Sequence, residues 1–238
     1  MSQAPGTRTP PSVSTVIPCF NGERYLGEAI RSVLDQDHDP LEIIVVDDGS
    51  TDRSAQVACG FGERVRLVAQ PHAGAAAARN LGVQHAQGDV LAFLDADDLW
   101  TAGRLVRQLR VLESHASADI VIGHTEQFVS PEIAEPERLA FRFDPGPAPA
   151  RLSGALVVRR PAFERVGGFS TALETGEFVD WYLRAEELGL VSVMLPEVVL
   201  RRRLHRGNHG VVRRDAQQDY LSVIRAALER RRRAERTS

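Results

Sequence analysis

Apolar, β-favouring runs alternate with amphipathic stretches along the first half of the chain. The runs are residues 13–17, 41–46, 65–69, 90–94 and 119–123. After the first run, apolar residues recur at helical spacing in residues 25–34, and the same pattern returns in residues 105–112. This alternation predicts an α/β fold with a mostly parallel, Rossmann-like central sheet that is flanked by helices and joined by right-handed crossovers.

The second half of the chain has a less regular pattern. Residues 130–149 show no periodicity and contain five prolines, which indicates a long surface excursion. A strand is predicted at 152–159, then two helices, and then a final buried strand at 191–195. The last predicted element is a C-terminal helix whose apolar face is formed by Tyr220, Val223, Ile224, Ala227 and Leu228.

Acidic residues follow two of the predicted strands directly. The run at 41–46 ends in Asp47-Asp48, and the run at 90–94 ends in Asp95-Ala96-Asp97-Asp98. Parallel sheets bind ligands at the carboxyl ends of their strands, and an Asp-x-Asp turn can offer oxygens to Mg²⁺ or Mn²⁺ together with a diphosphate. By residue type alone, the alternative is an acidic turn that caps the following helix.

Charge is distributed unevenly along the chain. The formal net charge is −3, but residues 201–238 carry +8, and the first 200 residues therefore carry −11. A basic end suits a partner that bears phosphate, although a solvated charged face explains it equally well. The sequence contains no lysine, which excludes Schiff-base chemistry and a P-loop lysine.

Cysteine content and hydropathy indicate the cellular compartment in which the protein is expected. Cys19 and Cys59 make neither a disulfide framework nor a zinc cluster, and they are expected to be small buried hydrophobes in a reducing compartment. Residues 1–12 lack an apolar leader, and no run approaches the roughly 20 apolar residues of a membrane span. We therefore expect a cytoplasmic protein with no transmembrane segment, at most peripheral membrane contact, and no nucleic-acid partner.

Five motifs in sequence order resemble the family 2 glycosyltransferases of the GT-A fold, over roughly residues 12 to 210. They are VIPCFNGERYL, IIVVDDGSTD, AAARNLG, GDVLAFLDADDLW and RRPAFERVGGF. The resemblance implies one GT-A domain at 13–212, with a nucleotide-binding half at about 13–123 and an acceptor half at about 124–212. Residues 1–12 are predicted to be a disordered tail and 213–238 a basic C-terminal helix.

The resemblance assigns the donor's nucleoside and diphosphate to particular positions. Pro18, Asp47 and Asp48 fall where the family holds the nucleobase and ribose. Arg79 and Asn80 fall near the diphosphate or the wall of the donor site. A helix-capping role for Asp47, and a loop contact for Asn80, remain open as structural alternatives.

The resemblance also implies a divalent cation, Mn²⁺ or Mg²⁺. The family's Asp-x-Asp falls on Asp95, Ala96 and Asp97, and His205 falls where many members place a further ligand. Neutral imidazole suits Mn²⁺, although a surface imidazole remains the alternative for His205. Neighbouring arginines are expected to stabilise leaving-group charge; they are Arg201, Arg202, Arg203 and Arg206.

The expected general base is missing from its usual position. Most inverting members carry a Glu-Asp pair at a helix start, and the Asp removes the acceptor's proton. Aligned on Arg184, the pair becomes Glu177 and Phe178 in this chain. Either Glu177 or Asp180 replaces the base, or the acceptor needs no deprotonation; we favour Glu177, because it begins the helix.

The resemblance, together with the acidic turns, implies metal-dependent, inverting transfer of a sugar from a nucleoside diphosphate donor, expected to be UDP-linked, to an unidentified acceptor. One alternative is a nucleotide-sugar-binding protein with little or no turnover. Another is a transferase that acts on a phosphate acceptor without a general base. A nucleotidyltransferase is disfavoured, because the N-terminal part lacks a glycine-rich phosphate signature bearing Lys or Arg.

Overall fold

The computed structural model describes residues 10–39, 41–138, 141, 146–149, 151–173, 175–208, 223–230 and 232. Most of the two predicted terminal segments, 1–12 and 213–238, lies outside the described residues, as does Tyr220.

Nine strands and eight α-helices make up the described structure. The strands are β1 (Val13–Cys19), β2 (Leu41–Asp47), β3 (Arg66–Ala69), β4 (Val90–Phe93), β5 (Leu99–Trp100), β6 (Ile120–Val129), β7 (Ala148–Pro149), β8 (Leu156–Arg159) and β9 (Ser192–Leu204). The helices are α1 (Leu26–Leu34), α2 (Ser54–Cys59), α3 (Ala75–His85), α4 (Arg104–Ser114), α5 (Glu135–Arg138), α6 (Arg160–Val166), α7 (Glu177–Glu187) and α8 (223–230).

All nine strands belong to one mixed sheet. Its order is β3-β2-β1-β4-β8-β6-β9-β5, and β7 pairs with β6. The pairs β1–β2, β1–β4, β2–β3 and β6–β9 are parallel, whereas β8 is antiparallel to both β4 and β6. Six strands therefore run in one direction, which confirms the mostly parallel α/β prediction.

The central strands are buried on both faces because helices cover them. All seven residues of β1 and all four of β4 are buried, as expected for near-continuous apolar runs in a parallel sheet. Close packing of α3 on β1 depends on Gly82. A Cβ at this position would lie 2.3 Å from Cγ1 of Val16.

Two sequence predictions need correction. The run at 191–195 leads into the largely exposed start of the long strand β9, whose buried residues are Val199, Leu200, Arg203 and Leu204. The predicted apolar face of α8 is split, because Val223 and Ala227 are buried whereas Ile224 and Leu228 are about half exposed. In both segments the apolar residues are not all buried on one face. The sequence shows that they are apolar, but not which neighbouring element covers each of them.

The described part of segment 130–149 lies mostly at the surface, as predicted, but it contains regular structure and two buried residues. The regular structure is α5 and β7, and Ser130 is fully buried. Ile133 packs in a small apolar cluster with Val129 and Leu204. In the part of the chain that the structure describes, no helix is both long and apolar enough to cross a membrane.

Candidate active site

An open cleft of about 1360 Å³ lies at the carboxyl ends of the parallel strands. Its walls come from the turn after β1, the loop before α3, the acidic turn after β4, the start of α7 and the end of β9. This position is where an open parallel sheet binds its ligands, because strand ends and helix starts converge there.

The acidic turn after β4 sends its three carboxylates to three different partners. Asp95 Oδ1 accepts a hydrogen bond from Arg79 Nη2 at 2.5 Å, and Asp97 Oδ2 accepts one from His205 Nε2 at 2.9 Å. Asp98 is buried and accepts the backbone N–H of Arg203 at 2.8 Å. Burial, reinforced by the charges of Asp97 and Asp95, raises the pKa of Asp98 well above its usual range.

Asn208 holds Asp97 and His205 together. Its Nδ2 donates to Asp97 Oδ2 at 3.1 Å, and its Oδ1 accepts the backbone N–H of His205 at 2.5 Å. The backbone N–H of Gly207 donates to His205 Nδ1 at 3.1 Å. Because Nδ1 is an acceptor there, Nε2 carries the proton that is donated to Asp97. A metal-ligand role for Nε2 would require the other neutral tautomer, in which the proton is on Nδ1 and the hydrogen bond from Gly207 is given up.

Arg79 links the acidic turn to the start of α7. It is 4% exposed, and its Nη1 donates to Glu177 Oε1 at 2.7 Å while Nη2 binds Asp95. Burial by itself would lower the pKa of Arg79, but the charges of Asp95 and Glu177 outweigh it and raise that pKa. The guanidinium also lies against the Phe169 ring, 5.9 Å from the centroid.

Asp48 orders the loop that leads into α3. Its carboxylate accepts the backbone N–H groups of Ala73 and Gly74 at 2.8 and 2.9 Å and the side-chain amide of Gln70 at 2.6 Å. Gly74 has φ of 90°, a conformation that favours glycine. The loop reaches the cleft through His72, whose Nδ1 lies 2.9 Å from Asp48 Oδ2.

Pro18 and Ala96 also line the cleft, but three other predicted site residues do not. Asp47 accepts the backbone N–H of Ser50 at 3.0 Å, within its own turn. Asn80 forms two hydrogen bonds with the backbone of Phe169, both at 2.8 Å. Asp180 pairs with Arg184 at 2.9 Å and with Arg230 at 3.4 Å. The binding and catalytic roles assigned to these three side chains stay predictions.

Sequence reasoning missed an aromatic pair at the cleft. The rings of Phe20 and His72 stack with their centroids 4.1 Å apart and an interplanar angle of 26°. Phe20 is 46% exposed, which is unusual for a large apolar side chain beside a fully buried strand. The sequence feature that could have indicated this pair is an aromatic residue, Phe20, in the polar turn that follows β1.

A glutamate on the opposite wall was missed as well. Glu132 accepts hydrogen bonds from the Tyr25 hydroxyl and from Ser130 Oγ, and it pairs with Arg24 at 3.2 Å. Burial would raise the pKa of Glu132, but the hydrogen bonds from Ser130 and Tyr25 outweigh it and lower that pKa to about 2. The proline-rich composition around Glu132 masked its contact with the residues just before α1.

The predicted metal ligands are only partly brought together. Within the described residues, no three His, Cys, Asp or Glu side chains are grouped so that they could hold a metal ion. Asp97 and His205 are in contact at the cleft, whereas Asp95 is turned onto Arg79. The reason is electrostatic, because the buried guanidinium attracts the neighbouring carboxylate.

Comparison with known proteins shows which family this chain is similar to. The profile of the family described as "Glycosyl transferase family 2" matches residues 14–167. An uncharacterized glycosyltransferase of Rickettsia typhi is 28% identical over 208 residues, which are 82% of this chain and 64% of that protein. One from Haemophilus influenzae is 41% identical over 110 residues, 44% of each chain.

Two solved structures share the fold. Staphylococcus aureus TarS 1-349 in complex with UDP-GlcNAc superposes with a TM-score of 0.71 at 19% identity, over 91% of this chain and 65% of that one. The mannosyltransferase PcManGT from Pyrobaculum calidifontis, in complex with GDP-Man and Mn²⁺, gives 0.72 at 21% identity, over 95% and 68%.

The chain thus spans roughly half to two thirds of the length of the two curated relatives. The family profile covers more than half of the chain and includes β2 to β8, nearly all of β1, the acidic turn and α6. The chain belongs to glycosyl transferase family 2.

Proposed function

We propose that this chain transfers a sugar from a nucleoside diphosphate sugar to an acceptor, with a divalent cation at the diphosphate. The observation that carries the proposal is the contact between Asp97 and His205 at the cleft, at the carboxyl end of β4. A carboxylate and an imidazole in one place, next to a second carboxylate, are ligands that Mn²⁺ accepts.

The residues present fit such a cation. Asp97 and His205 would hold it, with Asp95 as a third donor once that carboxylate turns away from Arg79. Two or three protein ligands leave the remaining positions to diphosphate oxygens and water, as is usual for Mg²⁺ and Mn²⁺ with nucleotides. When bound, the cation supplies positive charge that neutralises the departing diphosphate.

The nucleoside end of the donor fits the opposite side of the cleft. The exposed ring of Phe20, stacked on His72, offers a flat surface to a base, and the loop anchored by Asp48 is rigid beside it. TarS binds UDP-GlcNAc and PcManGT binds GDP-Man, so both nucleotides are candidates here. We propose a UDP-linked donor as the first to test.

Arg202 is placed to meet the diphosphate. Along β9, Arg201 pairs with Glu126 at 2.7 Å and Arg203 with Glu28 at 2.6 Å. Successive strand residues point to opposite faces, and Arg202, between them, lines the cleft. Among the described residues Arg202 has no ion-pair partner, so its charge is available to stabilise the leaving group.

In the reaction we propose, an acceptor oxygen attacks the anomeric carbon. The bond from that carbon to the diphosphate breaks, and its electron pair leaves with the nucleoside diphosphate. Attack from the side opposite the leaving group inverts the anomeric centre, which is our proposal for the stereochemistry. The cleft holds the donor so that these atoms are aligned, which supplies much of the rate enhancement.

Calorimetry of Asp97→Asn tests the cation site. We expect Mn²⁺-dependent binding of UDP or GDP to weaken at least about tenfold, because a ligand to the cation is lost, while the melting temperature changes little since Asp97 is partly exposed. Glu126→Gln is the matched control, since this carboxylate pairs with Arg201 and does not line the cleft. Unchanged affinity in Asp97→Asn would contradict the assignment.

A protein that binds the same donors without turnover would pass this binding test. It differs only in leaving the donor intact, so product release separates the two functions.

A further inference from the structure

Arg79 carries one positive charge between two carboxylates that lie on different elements. Asp95 follows β4, and Glu177 is the first residue of α7, behind the cap residue Gly176 with φ of 81°. The two contacts use the two terminal nitrogens of the guanidinium, at 2.5 and 2.7 Å. The remaining nitrogen, Nε, has no hydrogen-bond partner among the described residues.

Among the described residues, the buried guanidinium of Arg79 forms hydrogen bonds only to the carboxylates of Asp95 and Glu177, so these two groups compensate its charge. Only 5% of its side chain is exposed, so water cannot replace a carboxylate that leaves. Asp95 is 42% exposed on the cleft side, whereas Glu177 is 15% exposed. Of the two partners, Asp95 is therefore the one that is free to turn toward a ligand.

Asp95 is subject to two competing attractions in the proposed cation site. Arg79 holds its Oδ1, and a divalent cation bound at Asp97 and His205 attracts the same carboxylate. If Asp95 were the sole counter-ion of Arg79, turning to the cation would leave a buried charge unpaired. With Glu177 in place, Arg79 remains paired.

We propose that Glu177 is a positioning residue that serves as the second counter-ion of Arg79 and thereby releases Asp95 to bind the divalent cation. This inference rests on the cation site of the proposed function. It assigns Glu177 a role different from that of general base, because its Oε1 is already bound to Arg79.

The two roles of Glu177 predict opposite results for Glu177→Gln. A counter-ion role predicts weaker cation binding, by roughly tenfold, since supporting groups around a metal typically change its affinity by 10- to 100-fold. It also predicts a wild-type pH profile for donor hydrolysis. A base role predicts unchanged cation binding, with hydrolysis reduced by at least about a hundredfold.

The experiment measures Mn²⁺ affinity by electron paramagnetic resonance in the presence of UDP. Wild type, Glu177→Gln and Glu187→Gln are compared; Glu187 lies on the same helix and pairs with Arg230 at 2.8 Å, outside the cleft. We expect weakening in Glu177→Gln alone. Equal affinity in all three proteins would overturn the inference.

A double-mutant cycle separates the counter-ion role from a general field effect. In an Arg79→Gln background Asp95 is already free, so Glu177→Gln should change Mn²⁺ affinity less than about twofold. If Glu177→Gln lowered the Mn²⁺ affinity equally in both backgrounds, Glu177 would act on the cation through its charge alone. That result would overturn the inference. The Arg79→Gln/Glu177→Gln protein carries neither charge of this buried pair, so it leaves no charge of the pair without a partner.

The proposed function and this inference fail differently. A wild-type chain that binds neither UDP nor GDP with Mn²⁺ contradicts the proposed function. Wild-type binding that Glu177→Gln leaves unchanged contradicts the inference alone.

Discussion

Asp48 shows how one buried carboxylate can order a loop at the edge of the cleft. It is 2% exposed and accepts two backbone N–H groups from the segment that leads into α3. Those groups precede the first helical turn, where backbone donors have no partner inside the helix. The side chain of Asp48 therefore contributes much of the hydrogen bonding that holds the loop carrying His72 to the cleft.

We expect Asp48→Ala to lower the free energy of unfolding by roughly 2 kcal/mol or more, because several buried donors lose their acceptor. Urea denaturation measures this change. Asp47→Ala is the control, since among the described residues the side chain of Asp47 accepts a single backbone N–H, from Ser50, and its loss should cost less. Equal losses in the two variants would count against the role given to Asp48.

Glu132 gives a pH dependence with a definite sign. Its pKa is lowered from 4.5 to about 2 in the folded chain, so its contribution to stability is present above pH 4.5 and is lost as the pH falls toward 2. Thermal unfolding across that window should show a steeper acid loss for wild type than for Glu132→Gln. Parallel curves for the two proteins would refute the assignment.

The packing of helix α3 on the sheet depends on the close approach of its backbone to β1. Its helical run of alanines packs on β1, and Gly82 allows the contact with Val16. The sequence predicted a helix of small residues, but not which of them faces the sheet.

Gly82→Ala should destabilise the protein, by about 1–3 kcal/mol, although alanine is the better helix former by about 1 kcal/mol. The added Cβ would lie 2.3 Å from a Val16 methyl group inside the buried sheet. Denaturation midpoints at constant m-value measure the change. Gly27→Ala in α1 is the control, because its Cβ would make only ordinary contacts, the nearest at 3.6 Å. Stabilisation by Gly82→Ala would contradict the packing described.

Strands with continuous apolar runs were predictable, whereas the extent of β9 was not. The apolar run predicted a strand at 191–195, but β9 continues to Leu204 through three consecutive arginines, where neither periodicity nor hydropathy indicates a strand. Pairing with β6 creates it, because each strand satisfies the backbone groups of the other. The antiparallel direction of β8 likewise depends on its two neighbours, which local sequence does not encode.

For the whole molecule, the sequence predicted the sheet class and the acidic turn, because strand ends and acidic runs are local patterns. It did not predict that Asp95 and Asp97 would have different partners. Those partners, Arg79 and His205, lie on α3 and after β9, and only tertiary folding brings them to the turn. Asn208 was missed for the same reason, since its role depends on both Asp97 and His205.

In the proposed function, the bond between the sugar and the diphosphate of the donor is cleaved in the cleft. Phosphorus-31 NMR of the wild-type chain with UDP-linked and GDP-linked sugars, in Mn²⁺ and then with excess EDTA, tests it most directly. We predict slow release of UDP or GDP from at least one donor in Mn²⁺, and none after chelation. Donors that all remain intact in Mn²⁺, at concentrations where the nucleotide is bound, would contradict the claim and identify a binding protein instead.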